Sequence, residues 1–217
     1  MRTRVKICCI SSVEEAQMAV SAGADALGLV SAMPSGPGVV AEEVIAAIVN
    51  VVPPAVATFL LTSQVKASEI IDQQKFCKNN VLQLVDHVDP SEHEKLRHAL
   101  PGIGIVQVVH VIDEASVEQA LEYAPYVDAL LMDSGNPNLE VKELGGTGRT
   151  HNWDLSREIV QKAGVPVFLA GGLNPENVAK AIREVSPFGL DICSGVRSDG
   201  LLNAGKLGRF MKVVHGA

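Results

Sequence analysis

The chain has 217 residues, of which 47% are hydrophobic, 20% charged and 4% aromatic, enough apolar side chain for a buried core and too little bias for a disordered tail. Eighteen Lys and Arg stand against 25 Asp and Glu, a formal net charge of −7. A surface of that sign repels phosphate backbones and anionic bilayers, so neither nucleic acid nor membrane is an expected partner.

Short β-rich runs alternate with longer amphipathic stretches from end to end. Strands are expected over 5–8, 26–30, 56–61, 81–85, 103–109, 128–132, 165–170 and 189–193. Helices are expected to start near Val13, Glu42, Ala67, Glu92, Ala115, Leu155, Pro175 and Ala204. Ser12-Val13-Glu14-Glu15 and Ser91-Glu92-His93-Glu94 both match a capping box, in which hydroxyl and carboxylate satisfy orphan amides. Asn174-Pro175 reads as an N-cap before a first-turn proline. Gly23, Gly102 and Gly164 follow helices, where a left-handed residue turns the chain back toward the sheet.

The apolar stretch 44–61 is interrupted by Asn50, Pro53 and Pro54, so no transmembrane helix is expected. Residues 1–4 run straight into the first strand, and no signal peptide is expected. Cys8, Cys9, Cys77 and Cys193 have neither disulfide-framework nor zinc-ligand spacing. A cytoplasmic protein without metal or cofactor, monomer or homodimer, is the expectation.

Eight strand–helix units of roughly 27 residues sit at the compact end of the α/β class known as the (β/α)8 or TIM barrel. An open doubly wound sheet would want a glycine-rich turn after its first strand, and Cys8-Cys9-Ile10-Ser11-Ser12 has no glycine. No linker divides the chain, which reads as one domain over residues 1–217.

In such barrels the chemistry gathers where strands run into helices. The titratable groups there are Cys8, Asp86, His87, His110, Asp133 and Cys193. Two consecutive glycine turns, Ala170-Gly171-Gly172-Leu173 and Ser194-Gly195-Val196-Arg197, bring backbone amides close to an anion without a side chain intervening. Gly171, Gly172, Ser194 and Gly195 are therefore candidate phosphate ligands, although either turn alone would equally suit a tight bend. The segment 143–150 is a long glycine-rich loop that could fold over a ligand and bring Arg149 or Thr150 to it. Strand parity adds one core feature. Lys6 and Asp191 should face each other inside the barrel as a buried ion pair, one layer below Cys8 and Cys193.

Several motifs then share one likeness. Val5-Lys6-Ile7-Cys8, Ala22-Gly23-Ala24-Asp25-Ala26-Leu27-Gly28, Leu131-Met132-Asp133, Gly145-Gly146-Thr147-Gly148-Arg149-Thr150, Ala170-Gly171-Gly172-Leu173-Asn174-Pro175-Glu176-Asn177 and Asp191-Ile192-Cys193-Ser194-Gly195-Val196 occur in that order. Together they resemble the phosphoribosylanthranilate isomerases of tryptophan biosynthesis over the whole chain. The resemblance implies an Amadori rearrangement of a phosphorylated small-molecule substrate. It implies Asp133 as the acid that opens the ribose ring and Cys8 as the base that takes the C2 proton. It also shows departures. Cys9 stands where the family has glycine, and Ser35-Gly36-Pro37-Gly38-Val39 lacks the family's carboxylate-binding arginine. Three alternatives therefore stand: the family's reaction with altered carboxylate recognition, related chemistry on another phosphosugar, and phosphate binding without catalysis.

Overall fold

The computed structural model describes residues 2–217. Eight parallel strands close into one barrel in sequence order: β1 (Arg4–Ile7), β2 (Ala26–Val30), β3 (Ala57–Thr62), β4 (Val81–Leu84), β5 (Gly104–His110), β6 (Ala129–Asp133), β7 (Val167–Leu169) and β8 (Gly189–Ile192). The helices are α1 (Val13–Ser21), α2 (Glu42–Val49), α3 (Ala67–Cys77), α4 (Pro90–Ala99), α5 (Ala115–Tyr123), α6 (Trp153–Lys162), α7 (Val178–Val185) and α8 (Ala204–His215). A small antiparallel hairpin, β9 (Arg197–Ser198) with β10 (Leu201–Leu202), precedes α8.

Alternation along the strands divides the core in two. Val5, Ile7, Leu27, Leu29, Leu60, Leu82 and Leu84 point outward against the helices. Ala26, Phe59, Val106, Val108, Ala129, Leu131 and Phe168 fill the barrel. Both faces are buried, which is why these strands are near-continuous apolar runs.

Strand and helix bounds shift by one or two residues from expectation: β3 runs one residue later, β7 is confined to Val167–Leu169, and α6 starts at Trp153 rather than Leu155. Two helix starts require correction. Helix α4 is capped by Asp89, whose carboxylate accepts from the Ser91 amide at 2.9 Å, with Pro90 in the first turn. Glu92 is not a capping-box partner; its carboxylate accepts from the Ala67 amide at the start of α3 at 2.6 Å. Helix α7 begins at Val178, not at Pro175. Asn174 still caps, but it caps a separate turn, its side chain accepting from the amides of Glu176 and Asn177 at 3.0 Å each. The first capping box stands in its hydroxyl half, with Ser12 Oγ accepting from the Glu15 amide at 3.2 Å, whereas the Glu15 carboxylate accepts from the Ser11 amide at 3.0 Å rather than from that of Ser12. Gly23, Gly102 and Gly164 all take left-handed φ values.

The Glu15 carboxylate also meets the Arg197 guanidinium in a buried pair at 2.9 Å and accepts from the Leu202 amide. Arg197 reaches on to the carbonyls of Cys8 and Cys9. One cation thus ties the end of β1, α1 and the β9–β10 hairpin together.

Candidate active site

Lys6 and Asp191 are direct partners across the β1–β8 seam, and Lys6 Nζ donates to Asp191 Oδ1 at 2.8 Å. The Lys6 side chain is fully buried, with Nζ 5.3 Å from the centre of the Phe59 ring. Burial works against its charge, but Asp191, aided by Cys8, outweighs burial and holds the ammonium above its usual value. Cys8 follows one layer higher, its amide donating to Ile192 O at 2.8 Å. Gly28 on β2 makes room for both groups. A Cβ there would lie 2.8 Å from Cys8 Sγ and 2.8 Å from Lys6 Nζ.

Asp133 ends β6 and is almost wholly buried. Burial pushes its carboxyl up, and the Asp191 charge adds to this. The Ser134 amide, donating to Oδ1 at 2.7 Å, together with His110 and Lys6, pulls the other way without cancelling the rise. His110, the cross-strand partner of Asp133, anchors its ring by Nε2 on Val85 O at 3.0 Å.

Cys8, Asp133 and Asp191 line one cavity at the carboxyl ends of the strands, with Gly171, Gly172 and Ser194 along one edge. Gly171 and Gly172 have φ of +80° and +60°. A Cβ at Gly172 would strike the backbone of Arg149 at 2.6 Å, and one at Gly195 would strike Leu173 O at 2.1 Å. Both turns are therefore closed to larger residues. The amides of Gly171, Gly172, Ser194 and Gly195 donate to no other group among the described residues.

The segment 134–152, between β6 and α6, lies over this cavity. Ser134 Oγ meets Thr147 Oγ1 at 2.6 Å, and Ser35 Oγ donates to Lys142 O at 2.6 Å. Gly146 passes so close to Pro37 that a Cβ would sit 2.4 Å from its Cδ. Arg149 does not enter the cavity. Its guanidinium pairs with Glu143 at 2.5 Å and is 60% exposed, although its backbone packs on the β7 turn. Asp86, at the end of β4, pairs with Lys142 Nζ at 2.5 Å. No Lys, Arg or His lines the cavity among the described residues, and no group of three His, Cys, Asp or Glu there is placed to hold a metal ion.

Sequence reading passed over Lys142, Arg197 and the nearness of Cys9 to Cys193. Their partners lie on other strands and loops, and no local pattern marks them. Cys9 alone carried a signal, being a side chain where a glycine is usual.

Residues 5–213 match the model of the family described as N-(5'phosphoribosyl)anthranilate (PRA) isomerase. An N-(5'-phosphoribosyl)anthranilate isomerase of Moorella thermoacetica is 36% identical over 99% of this chain and 90% of its own length. That of Methanocella arvoryzae is 33% identical over 91% and 90%. The Thermotoga maritima phosphoribosyl anthranilate isomerase structure superposes with a TM-score of 0.85 at 30% identity, covering 99% of this chain and all of its own. A phosphoribosyl anthranilate isomerase in complex with reduced 1-(o-carboxyphenylamino)-1-deoxyribulose 5-phosphate superposes at 0.83 with 29% identity and equal coverage. With the family match running almost from end to end and the solved structures superposing over nearly the whole barrel, the chain belongs to the N-(5'-phosphoribosyl)anthranilate isomerase family.

Proposed function

We propose that this isomerase of tryptophan biosynthesis converts N-(5-phosphoribosyl)anthranilate into 1-(o-carboxyphenylamino)-1-deoxyribulose 5-phosphate, an aldose–ketose (Amadori) rearrangement. The observation that carries the reading is the convergence of Asp133 and Cys8 on one cavity whose edge presents uncommitted backbone amides.

The substrate phosphate docks on the amides of Gly171, Gly172, Ser194 and Gly195, which need no cation to accept an anion. Burial disfavours the charge of Asp133 and raises its hold on a proton, as the role of acid requires. It gives that proton to the ribose ring oxygen as the C1–O bond breaks, leaving a Schiff base between C1 and the aryl nitrogen. The Cys8 thiolate then takes the proton from C2, and the electron pair moves toward nitrogen to form the enolamine. Tautomerisation gives the ketone. Lys6 stands beside the thiolate that this step requires.

A second anion, the aglycone carboxylate, needs a partner that the cavity wall lacks. Two cations ride on the overlying loop. Arg149 packs by its backbone on the β7 turn at the phosphate end, with its guanidinium held by Glu143. Lys142, tied by its carbonyl to Ser35 and by its ammonium to the end of β4, serves the carboxylate end.

We further read residues 1–217 as one domain working in the cytoplasm, as monomer or homodimer, without a cofactor; the unbroken ring of eight strands supports the single domain. Expression in a tryptophan auxotroph lacking this isomerase tests the activity. Growth without tryptophan is expected. No growth from soluble protein would move the reading to a phosphosugar whose aglycone carries no carboxylate.

A further inference from the structure

Three of the four cysteines, Cys8, Cys9 and Cys193, line the same cavity, whereas Cys77 is buried elsewhere in α3. The proposed reaction uses only one of them. Cys9 has φ +62°, a left-handed backbone that strains a residue with a Cβ by roughly 1–2 kcal/mol. It is also wedged from behind, since a Cβ at Gly38 would lie 2.4 Å from the Cys9 Cβ. Strained backbone that persists in a cavity wall points to a role for the side chain it presents. The strand register shows what the thiol is presented to. Ile7 stands opposite Ile192, so Cys8-Cys9 and Cys193 leave adjacent strands side by side. Cys193 packs against the side-chain cluster that contains Cys8 and Cys9.

The two thiols differ in access and charge. Cys193 is the more exposed of the two. The neighbouring Cys9 and the Arg197 charge hold its thiol below the usual range, against burial and Asp191. Cys9 is pushed well above the usual thiol range by its neighbours Cys193 and Cys8 and by burial. A more accessible thiol held below its usual range, beside a buried thiol held above it, is the arrangement of an oxidisable pair.

We propose that Cys9 and Cys193 form a modification site that hydrogen peroxide converts to an intramolecular disulfide. The Cys193 thiolate attacks one peroxide oxygen and the O–O bond breaks. The departing hydroxide takes a proton to become water, and Cys193 becomes a sulfenic acid. Cys9 Sγ then attacks that sulfur, and its proton leaves with the sulfenic oxygen as a second water. Two thiols and one peroxide become one disulfide and two waters. The bond withdraws Cys9 from Cys8 and pins the ends of β1 and β8 together across the cavity wall. Loss of isomerase activity is the expected consequence, and that consequence alone rests on the role proposed for Cys8.

The test treats the full chain with hydrogen peroxide, blocks remaining thiols with iodoacetamide in denaturant and maps the peptides. A Cys9–Cys193 cross-link is expected, with the loss of two hydrogens, Cys77 alkylated and full reversal by dithiothreitol. Cys9→Ser and Cys9→Gly, the latter suited to the left-handed backbone, should stop at a Cys193 sulfenic acid that dimedone traps. Turnover should fall at least tenfold with cross-linking, return with dithiothreitol and resist peroxide in Cys9→Gly. Complete alkylation of both Cys9 and Cys193 after peroxide would overturn the proposal, as would dimedone capture confined to Cys8. The cross-link is read by mass whether or not the chain turns over any substrate, so its failure and failure of the isomerase reading are separate results.

Discussion

Replacing Lys6 by Met removes the cation that neutralises Asp191 inside the barrel. The ammonium is fully buried and its partner carboxylate is 8% exposed, 2.8 Å away. Breaking a buried pair from one side leaves an uncompensated charge and costs about 3–5 kcal/mol, whereas replacing both partners by apolar side chains is often neutral or stabilising. At about 2–4 °C per kcal/mol for a domain of this size, Lys6→Met should lower the melting temperature by roughly 6–20 °C. The double variant Lys6→Met with Asp191→Leu should recover to within about 1 kcal/mol of the parent. The Phe59 ring near Nζ is equally suited to a methionine side chain. Urea titrations at neutral pH, followed by far-ultraviolet circular dichroism and by fluorescence of the single tryptophan, Trp153, would give the cycle directly. A loss below about 1 kcal/mol in Lys6→Met, or a double variant no more stable than the single, would refute the reasoning.

Three further outcomes follow from the same geometry. Gly195→Ala forces a Cβ to 2.1 Å from Leu173 O, so the turn must move. The parent should gain about 2.7 kcal/mol from a ribulose phosphate analogue at a hundred times its dissociation constant, and the variant should gain far less; an equal gain would take the phosphate away from this turn. Burial holds His151 neutral down to about 4 in the folded chain, against about 6.5 unfolded. The unfolded chain therefore binds the proton first, and stability should fall by about 3 kcal/mol as pH drops from about 6.5 to 4. His151→Gln should flatten that part of the pH–stability curve, and an unchanged slope would assign the acid loss to other groups. Lys142→Met should raise KM for phosphoribosylanthranilate ten- to a hundredfold, the roughly 1.5–3 kcal/mol of a charge-assisted bond, with kcat little changed. An unaltered KM would mean that another group holds the carboxylate.

The barrel was legible in the sequence because its strands are buried on both faces and so appear as apolar runs such as Ala57–Thr62, punctuated by left-handed glycines such as Gly23. Helix starts were less so. Asp89 and Ser91 are both good caps by composition, and only the fold decides that Pro90 belongs to the first turn of α4 while Pro175 precedes α7. The placing of Lys6 opposite Asp191 follows from strand parity once closure is granted, and the structure has that contact. Parity says nothing about loops. Arg149 was marked as a ligand group because it sits in a glycine-rich segment, yet its side chain turns to Glu143, six residues away. Lys142 escaped notice because its partners, Ser35 and Asp86, come from two other strand ends. The proximity of Cys9 to Cys193 depends on a left-handed residue that only coordinates reveal.

Asp133 and Cys8 acting as acid and base on a substrate held by its phosphate are the centre of the proposed reaction. The measurement that tests this most directly is conversion of phosphoribosylanthranilate by the purified protein, followed by loss of anthranilate-type fluorescence, in the parent and in Asp133→Asn and Cys8→Ser. Turnover by the parent is expected, with loss of at least a thousandfold in kcat for each variant and unchanged stabilisation of all three by a ribulose phosphate analogue. Full turnover in either variant, with the phosphate analogue still bound, would contradict it.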